Sequence, residues 1–135
     1  MALFNWSNNY SVGIKQIDDQ HKHLVDLINE LHDSMKVGKG KEVLGLIIKK
    51  LTDYTVFHFG TEEKLFKEYG YPDMKIHVET HNKLVNQVKA LQLDFNKGKA
   101  VLTMEVMNFL KEWLTNHILG TDKKYTAFLN SKGVV

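Results

Sequence analysis

Apolar residues recur at helical intervals along nearly the whole of this 135-residue chain, and helix-breaking residues fall mainly between those stretches. Proline occurs once, at Pro72. Such punctuation specifies a few long helices joined by short connections. The first stretch begins near Asp18, read as an N-cap, and runs through Leu24, Leu27, Ile28, Leu31 and Met35 to a turn around Gly38 and Gly40. The second starts near Lys41, carries Leu44, Ile47, Ile48, Leu51, Tyr54, Thr55, Leu65 and Phe66 on one broad face, and stops at Gly70. The third starts after Pro72, repeats Ile76, Leu84, Val88, Leu91 and Phe95, and ends at Gly98. The fourth, capped near Thr103, carries Val106, Phe109, Leu110, Trp113 and Leu114.

Short loops make long neighbouring helices antiparallel, so the expected fold is all-α: an up-down-up-down antiparallel four-helix bundle with a short C-terminal helical segment. Residues 1–17 read as a non-helical arm. Its Phe4, Trp6, Tyr10, Val12 and Ile14 alternate with polar residues and should lie extended along the bundle, with a β-hairpin as the alternative. A mass of 15.6 kDa suits one domain over residues 1–135.

Histidines and carboxylates are threaded onto the same apolar stripes. His21 lies on the first, His58 and Glu62 on the second, His77 and His81 on the third, and His117 at the end of the fourth, followed by Asp122. A separation of four residues in an α-helix turns a side chain by only ~40° and advances it ~6 Å, so each i,i+4 pair can reach one point. An imidazole on a core stripe without a partner costs on the order of 1 to 3 kcal/mol, so His21 needs one. Antiparallel order brings all four positions towards one end of the bundle. Asp122 fits less easily, because five residues of regular α-helix after His117 would turn it ~140° away. A π-bulge or a kink near Gly120 would return it.

Five imidazoles and two carboxylates, with a shared solvent oxygen, can ligate two octahedral iron ions and leave one position vacant, as dioxygen binding requires. His23 should point outward, His32 lies too far along its helix, Glu63 is expected to be solvated or to orient a ligand, and Glu79 and Asp19 should face solvent. The chain contains no cysteine, which excludes disulfides and thiolate metal sites and fits a cytoplasmic location. The net charge of +2 is spread without a basic stripe, so nucleic acid is not an expected partner. No segment approaches the ~20 apolar residues of a membrane span, and the N-terminus lacks the pattern of a secretory leader.

These residues resemble the hemerythrin family, and within it the single-domain bacterial members. The similarity rests on W-S-N-N-Y-S-V-G-I near the N-terminus, I-D-D-Q-H at 17–21, H-F-G-T-E-E at 58–63, H-x-x-x-H at 77–81 and H-I-L-G-T-D at 117–122. It implies two iron ions with a solvent-derived oxo or hydroxo bridge. His77, His81 and His117 would bind one iron, His21 and His58 the other, and Glu62 and Asp122 would bridge them. It further implies reversible dioxygen binding rather than enzymatic turnover, in an apolar pocket formed by Leu24, Phe59, Trp113, Leu114 and Ile118. An oxygen sensor acting through a separate, unidentified protein partner is an alternative. A ferritin-like di-iron oxidase or peroxidase would use Glu-x-x-His repeats, which are missing here. Zinc hydrolysis fails as well, since H-V-E-T-H places Val78 where H-E-x-x-H has its general base.

Overall fold

The computed structural model describes residues 4–98 and 104–135, and the described residues form an up-down-up-down four-helix bundle without strands. The helices are α1 (Lys15–Lys36), α2 (Lys41–Tyr69), α3 (Met74–Asn96) and α4 (Met104–Asn116). A π-helical turn, His117–Thr121, and a 3-10 turn, Asp122–Tyr125, lead into the short α5 (Thr126–Ser131). α1 packs on α2, α2 on α3, and α4 on α1. None of the described helices is long and apolar enough to cross a membrane. The cap expected at Thr103 lies outside the described residues.

The core follows the apolar stripes. Leu24, Ile28 and Leu31 of α1 meet Ile48 and Leu51 of α2 and Leu110 and Leu114 of α4, all fully buried. Two stripe residues depart from expectation: Ile76 is 65% and Phe109 41% exposed. Both sit at the edge of their stripes, and Met107 fills the α4 position that faces inward. Gly70 ends α2 in the left-handed conformation (φ 69°), which costs glycine little and lets the Tyr71 N–H reach the Phe66 carbonyl. Pro72 precedes α3 rather than sitting in its first turn.

The N-terminal arm packs on the bundle as expected, but it is shorter and less extended than its composition suggests. Helix α1 begins at Lys15, so Asp18 lies in its first turn instead of capping it. The arm ends where Gly13 takes φ 73° and Ile14 is extended, and it contains one 3-10 turn at Asn8–Tyr10. Phe4, Val12 and Ile14 are buried in the core. Asn29 accepts from the Phe4 N–H (2.9 Å) and donates to its carbonyl (2.7 Å), which ties the start of the arm to α1. Asp18 ties the other end, accepting from the Ser11 hydroxyl (2.5 Å) and the Val12 N–H (2.8 Å). Thr126 of α5 donates to the Val12 carbonyl (2.7 Å), so the arm links α1 to the C-terminal segment.

Replacing Asp18 with Ala removes two acceptor contacts to a part-buried turn, which should cost about 1 to 2 kcal/mol in chemical denaturation without altering helix content. Unchanged stability would show that the arm does not depend on this carboxylate.

Candidate metal centre

At one end of the bundle, all five stripe imidazoles turn Nε2 towards two carboxylates. His21 Nε2 lies 2.8 Å from Asp122 Oδ2, His117 Nε2 2.8 Å from the same oxygen, and His77 Nε2 3.0 Å from Asp122 Oδ1. Around Glu62 Oε1 are His58 Nε2 at 3.1 Å, His81 Nε2 at 3.2 Å and His117 Nε2 at 3.6 Å. None of the seven residues is more than 4% exposed. They form two overlapping groups whose donor atoms lie within 4.8 Å of one another: His21, His58, Glu62, His117 and Asp122, and Glu62, His77, His81, His117 and Asp122. Both groups contain Glu62, His117 and Asp122.

The backbone explains how Asp122 arrives. The turn from His117 to Thr121 is π-helical, and the extra residue in its i→i+5 turn rotates each following residue less than an α-turn would. Space is open where a Cβ at Gly120 would sit, so the added residue in the turn, rather than a close approach at the glycine, redirects the carboxylate.

The chain matches the hemerythrin HHE cation binding domain family over residues 12–129. The chain belongs to the hemerythrin family. It is 36% identical to a bacteriohemerythrin from Methylococcus capsulatus over 97% of this chain and all of that protein. A hemerythrin-like protein from Naegleria gruberi is also 36% identical, with 93% of each chain covered. A crystal structure of wild-type hemerythrin superposes with a TM-score of 0.89 and 36% identity, covering 95% of this chain and 98% of that one.

This hemerythrin domain brings together buried donors that their neighbours leave unsatisfied. His58 Nε2, Glu62 Oε1, His81 Nε2 and His117 Nε2 are buried close to one another, yet none makes a well-aligned hydrogen bond. Buried polar atoms are normally paired, and four orphans directed at one point fit a cation. Nitrogen and carboxylate oxygen donors without sulfur suit iron among other first-row metals. Two such ions fit a donor set that divides into two groups with shared carboxylates.

The outer edges of two rings are held in place. His58 Nδ1 donates to Gln20 Oε1 (2.7 Å), and the Gln20 amide nitrogen is committed to the Thr61 hydroxyl (3.3 Å). An amide oxygen only accepts, so this contact fixes the proton on His58 Nδ1 and turns Nε2 inward. Glu63 accepts from His81 Nδ1 (2.9 Å), the orienting one of the two roles that the sequence left open for it. Tyr125 donates to Glu62 Oε2 (2.5 Å). Neither Gln20 nor Tyr125 stood out in the sequence. Gln20 adjoins His21 but serves a ring 38 positions away, and Tyr125 follows an irregular turn where helical spacing gives no guide.

His23 is exposed and lies over the Tyr54 ring, Glu79 and Asp19 face solvent, and His32 is buried but joins neither group. The five apolar residues named for a pocket are all buried. Phe59 stacks flat on His81, with ring centroids 4.0 Å apart, and also approaches His117. Trp113 donates to the Leu84 carbonyl at 3.4 Å.

Charges in the cluster hold one another. Burial pushes the Glu62 and Asp122 carboxyls up, but the facing imidazoles outweigh it and keep both well below the ordinary range. Burial opposes a proton on His117, yet the attraction of Asp122 and Glu62 raises it to about 10. His58 is likewise raised against burial, chiefly by Glu62. Burial prevails at His21, which is lowered despite its contact with Asp122. Burial and the Glu62 charge push the Tyr125 phenol well above its usual value, so it stays a neutral donor.

At neutral pH the metal-free chain therefore carries a proton on His117, and coordination through Nε2 requires the neutral ring. Metal loading should release that proton, with affinity rising up to about tenfold per pH unit until His117 is neutral. Calorimetry in buffers of different ionisation enthalpy measures the release. No release at neutral pH would contradict a protonated His117.

Proposed function

We propose that this hemerythrin domain, residues 1–135, holds two iron ions with a solvent-derived oxo or hydroxo bridge and binds dioxygen reversibly, without catalytic turnover. The observation that carries the reading is the pair of overlapping donor groups sharing Glu62 and Asp122. In this reading His77, His81 and His117 hold one iron, His21 and His58 hold the other, and the two carboxylates bridge. The assignment leaves the second iron a nitrogen donor short, the place for a small ligand. The irons, when bound, supply the electrons that dioxygen binding requires.

The protein's own part is to position, neutralise and keep dry. Two carboxylates and a bridging hydroxide would together offset most of the charge of two divalent ions, which limits the cost of burying them. Gln20 and Glu63 orient His58 and His81, so these rings need little rearrangement to ligate. Tyr125 steadies Glu62 through a neutral hydrogen bond and withholds its proton, because burial and the carboxylate keep the phenol weakly acidic.

Leu24, Phe59, Trp113, Leu114 and Ile118 make the apolar pocket in this reading. Leu24 and Leu114 lie one helical turn from His21 and His117, Ile118 adjoins His117, and Phe59 covers His81. Such a lining excludes water and stray proton donors, which would otherwise make ligand uptake irreversible. A chain without cysteine suits a reducing cytoplasm, where we place the protein.

Purified protein loaded with ferrous iron should contain about two irons per chain and gain a visible charge-transfer band when oxygen is admitted. The band should vanish when oxygen is removed, over repeated cycles. Glu62→Ala and His117→Ala should lose the band and at least half the iron, whereas His32→Gln should retain both. Sustained consumption of oxygen with a reductant would instead favour an oxidase, and full loss on His32 replacement would overturn the ligand assignment.

A further inference from the structure

The outward face of α2 carries a pattern that the metal centre does not use. Val43, Leu46, Lys50, Asp53, Phe57 and Gly60 are all exposed and alternate by three and four residues, so they form one seam along the helix. Leu46 is 61% and Phe57 57% exposed. Val43 lies at one end of the seam, and Val56 flanks it at the other. Scattered surface leucines are ordinary, but large apolar groups on one seam around a cation and an anion are a pattern that requires explanation.

We propose that this seam pairs with the same seam of a second copy of the chain, antiparallel about a two-fold axis between residues 51 and 52. The charges decide the occupant and the register. In this alignment Lys50 meets Asp53 of the second copy and Asp53 meets its Lys50, while Leu46 lies against its Phe57 at both ends. Val43 meets Gly60 of the second copy, where space is open beside the backbone and the chains can approach closely.

Displacing the seam by one position in either direction sets Lys50 against Lys50 or Asp53 against Asp53, and places Leu46 or Phe57 beside a charge or a glycine. One register alone satisfies both the ionic and apolar positions, as an isologous interface requires. Within one chain these charges are poorly used. Asp53 pairs with Lys49 at 2.8 Å, but both side chains are more than 60% exposed, so the pair contributes little. Lys50 has no ion-pair partner among the described residues.

The surface is also shaped to receive the partner's side chains. A groove of about 450 Å³ between α1 and α2 has an apolar part, Val43, Leu46 and Ile47, beside the charged Glu30, Lys49, Lys50 and Asp53, and the Phe57 ring of the second copy would lie over that apolar part. A second groove, beside Tyr54 and Phe57, lies further along the same face of the chain. With few apolar anchors on each side, the dimer is weak and forms at high protein concentration.

Sedimentation equilibrium of the full chain as purified, from about 10 μM to 1 mM to span a weak interface, should show a reversible monomer–dimer equilibrium. Lys50→Glu and Asp53→Lys should each weaken dimerisation about tenfold or more by creating two like-charge contacts. The double variant should return to near the wild-type constant. Leu46→Glu should abolish association, and Ile76→Glu, on an exposed α3 position, should leave it unchanged, with circular dichroism melting verifying that each variant is folded. The two single charge reversals move net charge in opposite directions, so strengthening by one and weakening by the other would indicate bulk charge and overturn the register. A wild-type chain monomeric throughout, or a double variant no better than the singles, would also overturn the proposal.

Discussion

Burying two carboxylates and five imidazoles at one end of a helical bundle is the constraint on which the rest of this structure depends. Neither Glu62 nor Asp122 has any solvent exposure, and an isolated carboxylate in such a place would be expelled or neutralised. Each is held by several imidazoles; among these, the carboxylates hold the proton on His58 and His117 against burial, while burial lowers His21. Four of the donor atoms still lack an aligned hydrogen bond. Protons alone compensate the cluster incompletely, whereas a cation at each donor group would satisfy the orphaned atoms together.

The scaffold reflects that demand. Two i,i+4 pairs on α2 and α3 supply four of the ligating positions from regular helix, where spacing alone fixes direction. α1 adds one imidazole, and the residue that follows α4, His117, adds another. The seventh group needs a departure from regularity, supplied by the π-helical turn that begins at His117. That turn is followed by a 3-10 turn that places Tyr125 against Glu62. The arm bridges α1 and α5 beside this irregular region, with Thr126 bonded to Val12, so the least regular backbone is buttressed from outside.

Much of this was legible in the sequence because it depends on periodicity. Four helices, their order and the positions of His21, His58, Glu62, His77, His81 and His117 follow from spacing within single helices. The interruption before Asp122 was legible as a conflict: its carboxylate matched the set only if the helix broke. Features depending on contacts between elements were not. The start of α1 was misplaced because Asp18 suggests a cap, whereas its carboxylate holds the arm through Ser11 and Val12. Ile76 and Phe109 match an apolar stripe in spacing, but tertiary packing leaves them outside. Gln20 and Tyr125 act through rings and carboxylates distant in sequence, which one helix's pattern does not encode.

Two cations that share Glu62 and Asp122 would be visible in anomalous diffraction from crystals of the iron-loaded protein, collected on either side of the iron absorption edge. Two iron peaks per chain are expected, one beside His21 and His58 and the other beside His77, His81 and His117, with both carboxylates between them. A single peak, or two that share neither carboxylate, would contradict that sharing.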